Sequence, residues 1–258
     1  MTMTKEQKAL TPLATISNKL REKDFAEKIL KAIPEQTASS FPEKIATHVM
    51  MEISENSALA NCKWKSIAKC VLECSALGLF PSKLLGHIYL VPFKDQATII
   101  VGYKGIIQLF LRDPKVSRVK AKVVRSHDEF KVIEGTEDKI IHNPNLKERG
   151  EITHVYAIVF YTDGSNQFEW MDRAEIDEAK NQAKTQKFWK PYFKQMALKT
   201  VVRRLDKYLP FNALYEKALE IEHETEIDPD EGSILDGEYR ETQSDEALIN
   251  LLEEGRDD

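Results

Sequence analysis

Two stretches of the chain concentrate cations and almost exclude acids. Residues 104–125 carry seven, Lys104, Arg112, Lys115, Arg118, Lys120, Lys122 and Arg125, against the single Asp113. Residues 184–207 carry eight, Lys184, Lys187, Lys190, Lys194, Lys199, Arg203, Arg204 and Lys207, against Asp206. A solvated surface ordinarily mixes signs, because like charges side by side repel. One sign sustained over so long a run suits a polyanion, since neutralising phosphates is the main term in nucleic-acid affinity. Rings interleave with the second stretch: Phe188, Trp189, Tyr192 and Phe193 stand among Lys187, Lys190 and Lys194, and Tyr103 precedes Lys104. Bases stack on such rings whatever the sequence, each contact contributing roughly 1–3 kcal/mol. Trp189, in a loop before a helix, is the ring expected to be exposed; Phe193 is expected in the core.

The overall balance conceals this basic body. The chain has 258 residues, 37 Lys and Arg against 42 Asp and Glu, for a net charge of −5. Residues 211–258 hold 3 basic and 17 acidic side chains, so residues 1–210 carry a net +9. With 42% hydrophobic and 31% charged residues the chain is globular rather than disordered or fibrous. No run approaches the roughly 18–20 apolar residues of a membrane span, and the N-terminus lacks an apolar signal core. Cys62, Cys70 and Cys74 form no CxxC, which favours a reduced, cytosolic setting.

Several chemistries lack their parts. There is no GxxxxGK[ST], GxGxxG or kinase-like set, and Gly102-Tyr-Lys-Gly105 is too short to wrap a triphosphate, so ATP is not implied. GxSxG and HExxH are missing, and the six histidines are scattered singly. Cys70 and Cys74 lie one helical turn apart with no further ligand at suitable spacing, which favours core packing over a metal. A two-metal nuclease centre would have to draw on Asp128, Glu129, Glu169 or Asp172, and Asp177-Glu178-Ala179-Lys180 only superficially resembles a nuclease pair.

The elements that must position the cations follow from periodicity. Leu13–Ile33 reads as a helix stopped by Pro34, Pro42–Ile53 as a second one capped by Ser39 or Ser40, and Lys63–Leu77 as a third ended by Gly78. His87–Phe93 and Thr98–Tyr103 read as a hairpin, followed by a short helix from Gly105 to Arg112. In the strand Val116–Arg125, Arg118, Lys120 and Lys122 point one way and Val119, Ala121 and Val123 the other. Ile152–Tyr161 and Asn166–Met171 pair across Asp163-Gly164, and Asp172 caps a helix over Arg173–Gln182. A long basic helix is expected from Pro191 to Leu209, with Lys199, Arg203 and Lys207 opposite an apolar stripe and Arg204 at its margin. The fold class is α+β: a helical N-terminal part, a central antiparallel hairpin-rich sheet, that basic helix, and an acidic flexible tail. In the tail, residues 247–252 could form a short helix that docks into a partner groove.

Several segments resemble the RecT family. They are Cys74-Ser-Ala-Leu-Gly-Leu, Gly86-His-Ile-Tyr-Leu-Val-Pro-Phe93, Gly102-Tyr-Lys-Gly-Ile-Ile107, Val123-Val-Arg-Ser-His-Asp-Glu-Phe130 and Thr153-His-Val-Tyr-Ala157. The stretch Met196–Pro210, with Arg203-Arg204 and Lys207-Tyr-Leu-Pro210, and Asp228-Pro in the tail resemble it too. The resemblance implies a single-strand annealing protein of the RecT/Red-beta superfamily in a bacterial host's cytoplasm. Such a protein pairs complementary DNA strands without ATP, as a homo-oligomeric ring or helical filament. Its implied partners are single-stranded DNA, the annealed duplex intermediate, a phage 5′→3′ exonuclease and, through the C-terminal region, host single-strand binding protein. No cofactor is called for, and Mg2+ enters only as a modulator of DNA binding. On this reading residues 1–40 are a helical segment for subunit contacts, 41–221 the annealing core and 222–258 an acidic tail. A cationic groove would hold one strand through Lys104, Arg118, Lys120, Lys122, Arg125, Lys187, Lys190, Lys199, Arg203, Arg204 and Lys207, with Tyr103 and Trp189 stacking on bases. A passive single-strand binder and a metal-dependent nuclease are the competing readings.

Overall fold

A computed structural model of the chain describes residues 12–34, 40–183 and 185–226. The N-terminal helical stretch is two helices, α1 (Pro12–Leu20) and α2 (Lys23–Ala32), where the periodicity suggested one. The break at Arg21–Glu22 turns Ile16 and Leu20 of α1 and Phe25 and Ile29 of α2 into the same core. Helix α3 (Phe41–Glu55) has Pro42 in its first turn and buries Phe41, Ile45, Val49 and Ile53. Ser40 stands at its N-cap position but makes no capping bond, and Ser39 lies outside the described residues. A single turn, α4 (Ser57–Ala60), leads to α5 (Trp64–Leu77). Helix α5 ends at Gly78, whose φ of 59° lies in the left-handed region that glycine adopts without a Cβ clash. The Arg112 guanidinium donates to the carbonyls of Leu77 and Gly78 at 2.7 and 2.9 Å, placing positive charge on the negative end of α5. Cys70 and Cys74 are buried in the core on α5, and burial pushes both thiols up.

The middle of the chain forms three separate antiparallel sheets. Strands β1 (Ile88–Phe93) and β2 (Gln96–Val101) make the expected hairpin, whose alternating residues pack on the helices. After α6 (Tyr103–Phe110), β3 (Val116–Arg125) joins β6 (Ile152–Tyr161) and β7 (Asn166–Asp172) in the order β3-β6-β7. Strands β4 (Glu129–Ile133) and β5 (Lys139–Asn143) form a further hairpin that the hydropathy pattern did not disclose.

Asp172 caps α7 (Arg173–Gln182) in a reciprocal box with Glu175. The expected long basic helix is a correction. Helix α8 spans only Phe193–Arg204, and Leu205–Tyr208 tightens into a 3-10 turn. The tightening buries Leu205 and brings the Tyr208 carbonyl within 2.6 Å of the Tyr161 hydroxyl. A last helix, α9 (Ala213–Glu226), packs Tyr215, Ala218 and Ile221 into the core and continues past residue 221, into the segment that the sequence assigned to the tail. The fold is α+β. Among the described residues no helix is long and apolar enough to cross a membrane.

The Gly102-Tyr-Lys-Gly105 segment is a packing junction. The Gly102 amide donates to the His87 carbonyl at 2.8 Å, and a Cβ on Gly105 would fall well inside contact distance of that same oxygen. Gly105→Ala is expected to lower stability by about 1–3 kcal/mol, the usual range for overpacking, as measured by denaturant unfolding.

Candidate nucleic-acid interface

The β3-β6-β7 sheet has two unlike faces. Its inner face presents Val155, Ala157, Val159 and Met171, all fully buried, to α8, which supplies Ala197, Val201 and Val202. Its outer face is set by register. Arg118 stands opposite Phe160 and then Asn166; Lys120 opposite Ile158 and Phe168; Lys122 opposite Tyr156 and Trp170. Side chains directly opposite in an antiparallel ladder share a face, so three cations border a strip of rings and branched carbons. Arg118, Lys120 and Lys122 are exposed, Ile158, Phe160 and Trp170 half-buried, and Tyr156 and Phe168 buried. The Arg118 guanidinium lies over the Phe160 ring, 4.2 Å from its centroid. Among the described residues, Lys120 and Lys122 form no ion pair.

The β4–β5 hairpin closes one end of this face. Phe130 stacks on Tyr156 with centroids 5.9 Å apart, and Trp170 Nε1 donates to Glu134 at 2.9 Å. Beneath the hairpin, Asp128 accepts from the Arg125 and Asn145 backbone amides, each at 2.9 Å, and lies 3.1 Å from His142 Nε2. His142 Nδ1 is 3.2 Å from the Tyr156 hydroxyl, so the chain Asp128–His142–Tyr156 ties hairpin to sheet. Burial alone would raise the Asp128 carboxyl, but the amide hydrogen bonds, His142 and the Arg149 guanidinium outweigh it and hold the carboxyl at about 2. A carboxyl depressed in the folded state stabilises it above the unfolded value near 3.8, and that contribution disappears as pH falls towards 2. Thermal unfolding between pH 5 and pH 2 should therefore lose stability over this window, and Asp128→Asn should flatten the profile.

Four cations of the second segment are paired within the fold. Lys199 pairs with Glu222 of α9, both side chains nearly buried, and Arg203 lies 3.8 Å from the same carboxylate. Arg204 pairs with Glu175 at 2.8 Å and Lys207 with Glu169 at 2.7 Å, where Glu169 also accepts from the Tyr208 hydroxyl. Because α8 covers the inner face, the sheet lies between these residues and the β3 cations. Trp189 is a correction: it is only 2% exposed, packed against Phe193 with its Nε1 unpartnered among the described residues. The loop carries it inward because the apolar end of α8 needs a cover.

The remaining predicted residues are dispersed. Lys187, Lys190 and Lys104 are exposed, Tyr103 is half-buried against the core, and Arg125 donates to the Gly150 carbonyl at 2.8 Å. Lys184 lies outside the described residues. The carboxylates weighed as metal ligands hold other partners: Asp128 the hairpin, Glu169 the Lys207–Tyr208 pair and Asp172 the start of α7. The outer rings of β6 and β7 were missed in the sequence. Their signal was a β6 run apolar on both faces, which marks a strand with no polar side to give to water. Lys199→Ala should cost roughly 3 kcal/mol in denaturant unfolding, because it strips a nearly buried carboxylate of its nearest cation.

Comparison with known proteins agrees with these motifs. The RecT family model matches residues 43–241. The chain is 35% identical to Protein RecT of Escherichia coli (strain K12) over 232 residues, 85% of each protein. It is 28% identical over 163 residues to the uncharacterized protein YqaK of Bacillus subtilis (strain 168), covering 62% of this chain and 57% of that one. Length of match and identity together place the chain in the RecT family, a family of DNA recombination and single-strand annealing proteins.

Proposed function

We propose that this protein binds single-stranded DNA and accelerates the pairing of complementary strands, without ATP and without a catalytic centre. The observation that carries the reading is the open outer sheet face, where three cations of one sign border half-buried apolar and aromatic side chains. Annealing is downhill once two strands meet; what slows it is phosphate repulsion and the folding of free strands on themselves. A cationic surface lowers the first and an extended bound strand prevents the second, so neither ATP nor base-specific contacts are required. Mg2+ enters as a modulator of DNA binding. A strand longer than one protomer's face is shared by neighbours, which favours an oligomer, ring or filament, over isolated subunits. In recombination the protein takes strands exposed by a phage-type 5′→3′ exonuclease. The acidic C-terminal region, outside the described residues beyond 226, is proposed to meet host single-strand binding protein.

Two complementary labelled oligonucleotides added one after the other, without ATP, test the proposal. Energy transfer should rise well above the spontaneous rate with both strands recovered intact. Binding without acceleration would reduce the protein to a passive strand protector, and shortened strands would make it a nuclease.

A further inference from the structure

We propose that in the DNA-free protein the outer face of the β3-β6-β7 sheet is covered by the chain's own C-terminal segment 245–254, which a bound strand displaces. The competition rests on the DNA-binding role proposed above; the contact between segment and sheet does not.

Charge complementarity points to this occupant. Beyond α9, residues 227–258 hold twelve acidic side chains against Arg240 and Arg256, a net −10. So acidic a segment, joined to a cationic body, is drawn to the cations that lack internal partners. Lys199, Arg203, Arg204 and Lys207 already face Glu222, Glu175 and Glu169. Arg118, Lys120 and Lys122 are exposed on the outer sheet face, with no carboxylate opposite them on β6. A second match is apolar. Segment 245–254 reads Asp-Glu-Ala-Leu-Ile-Asn-Leu-Leu-Glu-Glu, an apolar run with two carboxylates at each end. The sheet face has the complementary make-up, cations bordering half-buried Ile158, Phe160 and Trp170. Lys187 and Lys190 are exposed too, but the ring between them, Trp189, is turned into the core, so that loop offers charge alone. The tether is long enough. Residues 227–244 separate α9 from the segment and span up to roughly 60 Å at about 3.4 Å each. A body of about 210 residues has a radius of gyration of only about 17 Å. Tethering keeps the segment at high effective concentration, which lets individually weak, salt-screened ion pairs hold it. Held in this way it exchanges on and off, so Lys120 and Lys122 stay reactive to small reagents until a strand of phosphates takes its place. A strand that takes the face also releases the segment, so its acids are presented only by protein that holds DNA.

The test joins carboxylates to lysines in the full chain with a zero-length carbodiimide and maps the products by mass spectrometry, using an equal mixture of 14N and 15N protein. Asp245, Glu246, Glu253 or Glu254 should be joined to Lys120 or Lys122 within one copy, and saturating oligo(dT) should abolish these products. In parallel, the full chain carrying Asp245→Asn, Glu246→Gln, Glu253→Gln and Glu254→Gln should bind oligo(dT) about threefold more tightly at low salt. That is the factor recovered when a face open about one third of the time becomes fully open. The difference should vanish at high salt, where the ion pairs are screened. Segment crosslinks only to other lysines, only between copies, or unchanged by oligo(dT) would overturn the proposal, as would unaltered affinity of the substituted chain. Each of these leaves the annealing role standing if strand pairing is still accelerated. A wild-type protein that neither binds oligo(dT) nor accelerates pairing would overturn the annealing role and the competition with it, while crosslinks formed without DNA would still report the contact itself.

Discussion

A three-stranded sheet has two faces, and α8 covers only one of them. The inner face is filled by Val155, Ala157, Val159 and Met171 against Ala197, Val201 and Val202, and this contact fixes the orientation of everything attached to either layer. It forces the Lys199 side of α8 away from the sheet, towards α9, and it leaves Arg118, Lys120 and Lys122 on the far side in water. At about 25 cal/mol per Å2 of apolar surface, burial on this scale outweighs any single ion pair, so packing dictates where charge may sit.

The two cationic segments therefore meet different fates despite similar composition. On α8 and the 3-10 turn that follows it, carboxylates from three other elements come within ion-pair distance: Glu222 of α9 and Glu175 of α7 on the helix, and Glu169 of β7 on Lys207 of the turn. These pairs knit the C-terminal half of the body together. A nearly buried lysine facing a nearly buried carboxylate is a constraint on assembly, since neither can lose its partner cheaply. On β3, the neighbours across the ladder are carbon-rich side chains instead, and no carboxylate is set opposite the cations. Uniform charge beside apolar surface is tolerated there because solvent screens it.

Much of the architecture was legible where one rule acted locally. Gly78, the Asp172 box and the Asp163-Gly164 turn ended or began elements as their chemistry requires, and the alternation of β3 fixed which way its lysines point. What the sequence could not disclose depended on distant partners. The acids that pair with α8 and its following turn lie 23 to 38 residues away along the chain, measured from Lys199 to Glu222 and from Lys207 to Glu169. Trp189 looked exposed because its chain neighbours are lysines, yet the core beside Phe193 claims the ring. The β4–β5 hairpin was hidden because its strands are short, exposed on one side and joined by a polar turn. It is held by Asp128, His142 and Tyr156, side chains that look unrelated in sequence.

The central claim is that Lys120 and Lys122 on the outer sheet face are available to phosphates, whereas Lys199 of α8 is committed to the fold. Lysine labelling by reductive methylation, read residue by residue with and without oligo(dT), tests it directly. The account predicts that Lys120 and Lys122 react in the free protein and are protected by the oligonucleotide, while Lys199 is unreactive in both. Protection confined to the α8 lysines, with Lys120 and Lys122 equally reactive in both states, would contradict it.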